Sequence, residues 1–342
     1  MKIQKKRDAR IDILRATAIL CIILAHSIPN GIIFQIRNFD VTLMVFLMGA
    51  SFFLSNKGKT IKYFDYVIKR FNRLVVPTWK FLIFFFGVFY LFSLFLNDEF
   101  YFSAKEIITS FTLISGIGYV WVIKVFFIVA LVSPLILYIS KRIESNSLFF
   151  LILLLFYAIY ALLLFVNHSF SEGYIQKLFE NFLVEPFGYI LVATFGIRLF
   201  NLKKKDLIYL SGAFLIIFLV LMVYHNYAPI QDFKYPPTFY YQSYGLFFSF
   251  FLFYFLSNNR VMELFNKKSI IFLSKYSLDL YFCHIIPIYI IVLYSDYFPI
   301  INVNFITRFL FLLIGGLIIL VLKNGFLKLI KLMKVTGKNQ NF

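Results

Sequence analysis

The chain has 342 residues, of which 61% are hydrophobic and 21% are aromatic, and its formal net charge is +18. Its mean hydropathy is +0.84. Soluble domains contain roughly 45–50% apolar residues, so these values exclude an ordinary soluble protein and indicate an integral membrane protein. The apolar runs are continuous rather than alternating, which favours helices over a β-barrel. We therefore predict an all-α, polytopic membrane protein.

Ten apolar segments approach the roughly 20 residues that a helix needs to cross about 30 Å of hydrocarbon. No linker rich in Pro, Gly or Ser divides the chain, and no internal repeat of 20–50 residues is visible. We expect residues 1–342 to form a single transmembrane domain, a bundle of about ten helices. The predicted spans are residues 11–31, 39–55, 75–96, 119–140, 147–166, 183–200, 207–227, 239–257, 270–294 and 305–322.

Basic residues gather in alternate gaps between these spans: the N-terminus, the second, fourth, sixth and eighth loops, and the C-terminus. This positive-inside pattern predicts that both termini are cytoplasmic. The basic residues do not form one face or arm, which argues against nucleic-acid binding. The terminal basic groups are Lys2, Lys5, Lys6, Arg7 and Arg10 at one end and Lys323, Lys328, Lys331, Lys334 and Lys338 at the other, while the odd-numbered loops carry little beyond Arg37, Lys105, Lys177 and Lys234.

The first span carries three polar residues on one helical face. Arg15 and His26 are eleven residues apart, which at about 100° per residue brings them within roughly 20° of each other, and Asp12 lies one turn before Arg15. The helical rise separates Arg15 from His26 by about 16 Å. This geometry suits a substrate that is anionic at its cytoplasmic end and reactive near His26, where an imidazole could act as a base. A packing hydrogen bond to a neighbouring helix is the alternative role of His26.

Two further stretches contain ionisable residues at suggestive spacings. In "IKRFNRLVVPTW", Arg70 and Arg73 are three residues apart and could bind one anion from a helix, although the positive-inside rule alone also explains their charge. In "FLSKYSLDLYFCHIIPI", Asp279 and His284 are five residues apart and do not obviously share a face. A role in polar contacts between packed helices explains Asp279 and His284 as well as a catalytic role does.

The remaining polar positions point to no metal or disulfide. Asp40 and Lys80 lie near span ends, where snorkelling to the interface is an alternative to a functional role. Cys21 and Cys283 fall within different spans and form no CxxC motif, so the sequence predicts neither a disulfide framework nor a zinc site.

In these residues and their order the chain resembles the membrane acyltransferase 3 family, whose members O-acylate sugars and other cell-surface acceptors. Two departures accompany the resemblance: "FLMGASF" stands where many members have a Ser-Gly pair, and Asp279 stands where a neutral residue is common. The similar blocks are "RIDILRATAILCIILAHS" (10–27), "FDVTLMVFLMGASFFLS" (39–55), "RFNRLVVPTW" (70–79), "YVWVIKVFFIVALVSPLI" (119–136), "KYPPTFYY" (234–241) and "LSKYSLDLYFCHIIPI" (273–288).

The resemblance implies transfer of an acyl group, usually acetyl, from coenzyme A to a hydroxyl of a glycan or glycolipid intermediate. It implies that His26 is the catalytic base with Arg15 as its essential partner, and that Arg70 and Arg73 bind the donor. We add Asp12 to the expected catalytic residues His26 and Arg15, because it lies on the same face of the first span.

We expect acyl-CoA as co-substrate, no metal, a cell-surface or exopolysaccharide glycan or its lipid-linked precursor as acceptor, and a multi-pass location in a bacterial cytoplasmic membrane. The alternatives are a transporter or flippase of a lipid-linked glycan, a glycan polymerase, and an O-succinyltransferase of the same family. The residues that we expect to bind substrate are Glu185, Lys124, Tyr240, Tyr241 and His284.

Overall fold

The computed structural model describes residues 7–297, 299, 301 and 304–338, and side chains up to residue 328. Within these residues every regular element is a helix, which confirms the predicted all-α class. The helices are α1 (Ala9–His26), α2 (Gly31–Ile36), α3 (Asp40–Asn56), α4 (Tyr63–Leu96), α5 (Ala104–Phe111), α6 (Trp121–Arg142), α7 (Asn146–Ser169), α8 (Tyr174–Phe179), α9 (Glu185–Arg198), α10 (Lys204–Tyr224), α11 (Phe239–Phe255), α12 (Asn259–Phe265), α13 (Lys268–Lys275), α14 (Ser277–Cys283), α15 (Ile285–Leu293) and α16 (Phe305–Lys338).

Seven helical segments of the described chain are long and apolar enough to cross a membrane, and α13 with α14 and α15 makes an eighth that is bent by 71°. Two helices at predicted spans fall short of these criteria: α1 carries three charged residues in 18, and α11 has 17 residues. The count of ten spans and the cytoplasmic position of the termini therefore stay predictions. Lys2, Lys5, Lys6, Lys331, Lys334 and Lys338, which contribute to the charge pattern, lie outside the described side chains.

The most apolar helices lie on the outside of the bundle. The apolar windows of α7, α10 and α16 are each 17% buried, whereas those of the α2–α3 and α8–α9 segments are 72% and 78% buried. α1 packs in the interior against α3, α13 and α14. A charged side chain in a spanning helix is tolerated where it faces the protein interior rather than lipid. The interior position of α1 thus explains how it carries Asp12 and Arg15 within an otherwise apolar sequence.

Two glycines allow α3 and α9 to approach each other at backbone distance. A side chain at Gly49 of α3 would collide with the backbone of Ala193, and one at Gly196 of α9 would collide with the backbone of Phe46. Small residues at such crossings are the usual means of close helix packing in membranes, where apolar burial contributes little. This crossing fixes α3 and α9, two of the most buried helices, at the centre of the bundle.

A buried arginine fixes α6 and α7 to the end of α9. The guanidinium of Arg198 donates hydrogen bonds to the backbone oxygens of Ser140, Ile143 and Glu144 at 2.7–2.8 Å, and its Nε donates to Asn146 Oδ1 at 2.8 Å. The last carbonyls of a helix have no partner within the helix and carry partial negative charge. Arg198 therefore supplies hydrogen-bond donors to the carbonyl groups at the C-terminal end of α6. This helix forms one wall of the cavity described below.

We predict that Gly196→Ala destabilises the protein by about 1–3 kcal/mol, because the new methyl group overpacks a contact that leaves no room for it. Thermal unfolding of the detergent-solubilised protein measures the effect. Gly212→Ala is the matched control, since Gly212 lies within α10 and a side chain there meets nothing within 4 Å. Gly212→Ala should leave stability unchanged or raise it by up to about 1 kcal/mol, through helix propensity. Equal melting temperatures for the two variants would contradict the close α3–α9 crossing.

Candidate active site

A cavity of about 570 Å³ runs along one face of α1 and is walled by α3, α4, α6 and the α13–α14 bend. The lining residues on this side extend from Arg7, just before α1, through Asp12, Arg15 and Ile19 to Ile22. At 1.5 Å per residue this stretch covers about 22 Å. The cavity therefore follows the polar face that the spacing of the first span predicts.

The end of the cavity at the start of α1 is strongly basic. Its lining includes two carboxylates, those of Asp8 and Asp12, and a larger number of cations. Five cations against two carboxylates give this region a net charge of +3. A fixed positive field of this size in a partly enclosed space favours a multiply charged anion. The five cations are Arg7, Arg15, Arg70, Arg73 and Lys275.

Asp12 organises the α1 wall of this basic region. Its Oδ1 accepts a hydrogen bond from Ser274 Oγ at 2.7 Å and lies 2.7 Å from an Arg7 nitrogen and 3.8 Å from an Arg15 nitrogen. Arg15 donates in turn to Ser51 Oγ of α3 at 2.7 Å. Asp12 is 4% exposed, so its contacts with Ser274 and the arginines keep a buried carboxylate satisfied and orient Arg15 into the cavity.

Arg70 and Arg73 face the same cavity from α4. This helix has 34 residues, about 51 Å, and is longer than the roughly 30 Å thickness of the hydrocarbon layer. The Arg70 guanidinium lies 5.0 Å from the centre of the Tyr66 ring. Among the described residues neither arginine forms an ion pair with a carboxylate, which leaves both guanidinium groups available to an anion.

The opposite end of the cavity is apolar. Ile22 of α1, Met44 of α3 and Val122 and Ile123 of α6 line it, and Tyr281 of α14 closes it. His26 is not among the lining residues; it lies one helical turn beyond Ile22. The cavity thus changes from cationic to apolar along α1 and ends directly before His26.

His26 forms a hydrogen-bonded pair with His284. His26 Nδ1 lies 2.9 Å from His284 Nε2, and His284 Nδ1 lies 3.2 Å from the Leu280 backbone oxygen. The His26 ring also makes an edge contact with Tyr119 at 5.0 Å, and the hydroxyl of Tyr281 donates to the Tyr119 backbone oxygen at 2.6 Å. Tyr281, which closes the cavity, is therefore part of the same group of contacts as the two histidines.

The positions of the imidazole protons follow from these partners. A carbonyl oxygen only accepts, so His284 Nδ1 carries a proton, and in the neutral ring its Nε2 presents a lone pair. His26 Nδ1 must then donate to that lone pair. The remaining nitrogen, His26 Nε2, is left without a proton and is ready to accept one.

Only one of the two histidines is accessible. His284 is fully buried, with α16 packed against it at Gly316, where a side chain would come within 3.2 Å of the His284 backbone. His26 is partly exposed. His26 is therefore the one that is accessible from outside the pair, and its hydrogen bond to His284 fixes the orientation of its ring.

The buried pair Lys124 and Glu185 lies outside this cavity. Lys124 Nζ is 3.2 Å from Glu185 Oε2 and donates to Asn181 Oδ1 at 2.6 Å. Asn181 belongs to a π-helical turn, Glu180–Val184, that joins α8 to α9. The pair is balanced in charge and connects α6 to α9.

The two tyrosines of the "KYPPTFYY" segment have different surroundings. Tyr240 stacks on Phe218 at 5.4 Å, and its hydroxyl donates to the Ala228 backbone oxygen, so it packs the loop before α11. Tyr241 is fully buried, and its hydroxyl has no hydrogen-bond partner among the described residues. Neither residue lines the cavity.

Two basic residues for which the sequence predicted only a position in a loop are buried. Arg37 and Lys234 are each 4% exposed, and both pair with Asp40, which is 1% exposed and so does not snorkel. The i,i+3 spacing of Arg37 and Asp40 at the start of a span was the signal that could have indicated an ion pair. Lys80, by contrast, is exposed.

Asp279 pairs with Lys323 of α16 at a partly exposed position and does not contact His284. Within the described residues no group of three or more His, Cys, Asp or Glu side chains is arranged to hold a metal ion. Cys21 and Cys283 are both free thiols.

A family model described as an acyltransferase domain matches residues 8–324, nearly the whole chain. The chain therefore belongs to the membrane acyltransferase 3 family that its motifs resemble, and it is a membrane acyltransferase. Comparison with curated proteins and with solved structures finds no match.

We predict that His26 and His284 both carry their proton on Nδ1. Solid-state NMR of protein with ¹⁵N-labelled histidine should show a hydrogen-bond coupling between His26 Nδ1 and His284 Nε2, and His26→Gln should remove it. His168→Gln is the control, because His168 is exposed at the end of α7. A proton on His26 Nε2 would contradict the assigned direction of the hydrogen bond.

Proposed function

We propose that this protein transfers an acyl group, expected to be acetyl, from cytoplasmic acyl-CoA to a hydroxyl of a cell-surface glycan or its lipid-linked precursor. The observation that carries the proposal is the cavity along α1, which is basic at one end and ends beside His26, whose Nδ1 is hydrogen-bonded to His284. The proposal places both termini, and with them the basic end of the cavity, on the cytoplasmic side.

Acyl-CoA fits the gradient of polarity along the cavity. Its phosphates would lie at the basic end, where Arg70 and Arg73 have no carboxylate partner and suit bidentate phosphate binding. Its pantetheine arm would pass Arg15 and Ser51 and enter the apolar end between α1, α3 and α6. The length of the lined stretch, about 22 Å, is comparable with the reach of an extended arm of this kind. The thioester would then arrive next to His26.

The proposed reaction is a direct transfer. His26 Nε2 removes the proton from the acceptor hydroxyl as the oxygen attacks the thioester carbonyl carbon. The tetrahedral intermediate collapses, the carbon–sulfur bond breaks, and the coenzyme A thiolate leaves and takes the proton from the imidazolium. A base in this position contributes about 10²–10⁴-fold, and positioning of the two substrates supplies much of the rest.

The acceptor would reach His26 from the end opposite the basic region. Three partly exposed aromatic rings lead there: Tyr235, which is 46% exposed, Trp121 at 4.8 Å from the Tyr235 ring, and Tyr119 in edge contact with His26. Aromatic rings offer apolar faces to the C–H faces of sugars and carry polar edges for their hydroxyls. This row of rings supports a sugar as the acceptor.

We predict that His26→Ala abolishes acyl transfer, because it removes the base that takes the hydroxyl proton in the proposed reaction. The measurement is the release of free coenzyme A and labelling of acceptor from ¹⁴C-acetyl-CoA by membranes that contain the protein. His168→Ala is the matched control and should retain full activity, since His168 is exposed. Acyl transfer by a folded His26→Ala protein would refute the proposed base.

We predict that Arg70→Met and Arg73→Met each raise the KM for acetyl-CoA by about 10–100-fold, the value of one charge-assisted hydrogen bond to a phosphate. The kcat should change much less, because these residues lie far from the reacting atoms. Arg142→Met is the control, as Arg142 is exposed at the end of α6 and outside the cavity. A selective loss of kcat with an unchanged KM would contradict donor binding at this end.

A further inference from the structure

A second group of buried charges lies near His26, at the end of the bundle away from the basic region. Arg37 Nη1 is 2.9 Å from Asp40 Oδ2, and Lys234 Nζ is 3.6 Å from Asp40 Oδ1. We refer to these three residues as the charged cluster. Asp40 begins α3, and Ser51 and Ser55 further along the same helix line the basic end of the cavity, which puts the two groups about 16–22 Å apart.

The charged cluster lies at the level of His26 along the bundle. Arg15 contacts Ser51 of α3, and His26 and Asp40 each lie eleven residues from that contact, at the end where the turn Arg37–Phe39 packs against α1. Lys234 Nζ also lies 5.6 Å from the Tyr235 ring, and Tyr235 contacts Trp121. The charged cluster therefore borders the aromatic route along which the proposed acceptor reaches His26.

The charges of the cluster do not balance. Two cations share a single carboxylate, which leaves a net charge of +1 in a buried position. The neighbouring pair Lys124 and Glu185 is neutral as a whole and adds no compensation. Asp232, on the turn before Lys234, is exposed, and Glu180 accepts from Asn167. Neither of these acids pairs with the cluster.

The hydrogen-bonding capacity of the cluster is also incomplete. Arg37 Nε is buried and has no hydrogen-bond partner among the described residues, and Arg37 Nη2 reaches Gln231 only at 3.4 Å. Lys234 Nζ meets Asp40 Oδ1 in a longer ion pair, at 3.6 Å. A buried cation without a full counter-charge and with an unused donor is unfavourable, and an anionic ligand would supply both the charge and the acceptor.

We propose that the charged cluster binds a carboxylate or phosphate group of a substrate next to His26. The inference rests on the proposed acyl transfer and names the chemical class of one of its substrates. The anion has two sources: a terminal carboxylate on the acyl group, as in succinyl-CoA, or an acidic or phosphorylated sugar in the acceptor. Both would present the same negative charge to Arg37 and Lys234.

The source is identified by labelling native membranes with ¹⁴C-acetyl-CoA or ¹⁴C-succinyl-CoA and passing the product over an anion exchanger before and after mild alkaline hydrolysis, which cleaves the new ester. If the acyl group carries the anion, succinyl-CoA should react at least 10-fold faster than acetyl-CoA. Alkali should then release labelled succinate, and the acceptor should no longer be retained by the exchanger. If the acceptor carries it, the acetylated product should be retained and the acceptor should stay retained after alkali.

Transfer of acetyl to an acceptor that the exchanger does not retain would overturn the inference while leaving the proposed function intact. The absence of any label that depends on His26 would overturn both.

Variants of the cluster test its role directly. Lys234→Met should raise the KM for the anionic substrate about 10–100-fold, Lys234→Arg should restore it, and Lys177→Met, at an exposed lysine of α8, should change nothing. Asp40→Asn should lower that KM even as the melting temperature falls, because it removes the competing carboxylate. A purely structural cluster would instead raise KM, or leave it unchanged, in both Lys234→Met and Asp40→Asn.

Discussion

The hydrogen bond between His26 Nδ1 and His284 Nε2 is the interaction on which the site depends. It holds the His26 ring in one orientation and determines which of its nitrogens is free of a proton. His284 can serve as acceptor because its own Nδ1 donates to a backbone oxygen within α14 and because α16 seals it from water. A base at the end of a hydrophobic cavity can act only if its lone pair points at the reacting atoms. The hydrogen bond to His284 fixes the direction of the His26 lone pair.

The second organising feature is the distribution of charge along the bundle axis. Five cations and two carboxylates surround one end of the cavity, the middle is apolar, and His26 lies beyond it. The charged cluster of Arg37, Asp40 and Lys234 follows on the far side of His26. An elongated anionic donor and a second, separately anchored substrate would meet at the imidazole. The helices on the outside of the bundle, α7, α10 and α16, are the most apolar, and the charged residues of the proposed site lie on or beside α1, α3, α4 and α13 and in the turns before α3 and α11.

Composition and periodicity predicted the all-α class and helices at each of the ten predicted spans, because apolar runs of this length have few other structures. The eleven-residue spacing on α1 likewise placed Arg15 and His26 along one face, where the cavity runs up to the turn before His26. The same reasoning could not predict which side chains from distant parts of the sequence contact each other. His284 reaches His26 only through the bend between α13 and α14, and Arg37 and Lys234 are buried by the packing of loops, which the sequence assigned to the surface. Helical periodicity describes one helix at a time and carries no information on such contacts.

The most direct test of the account is an experimental structure with a non-hydrolysable thioether analogue of acetyl-CoA. The account predicts that the phosphates lie against Arg70 and Arg73, that the arm follows α1 past Arg15, and that the acetyl carbon lies within reach of His26 Nε2. An analogue bound outside this cavity, or one whose acetyl end lies at the arginines instead of at His26, would contradict it.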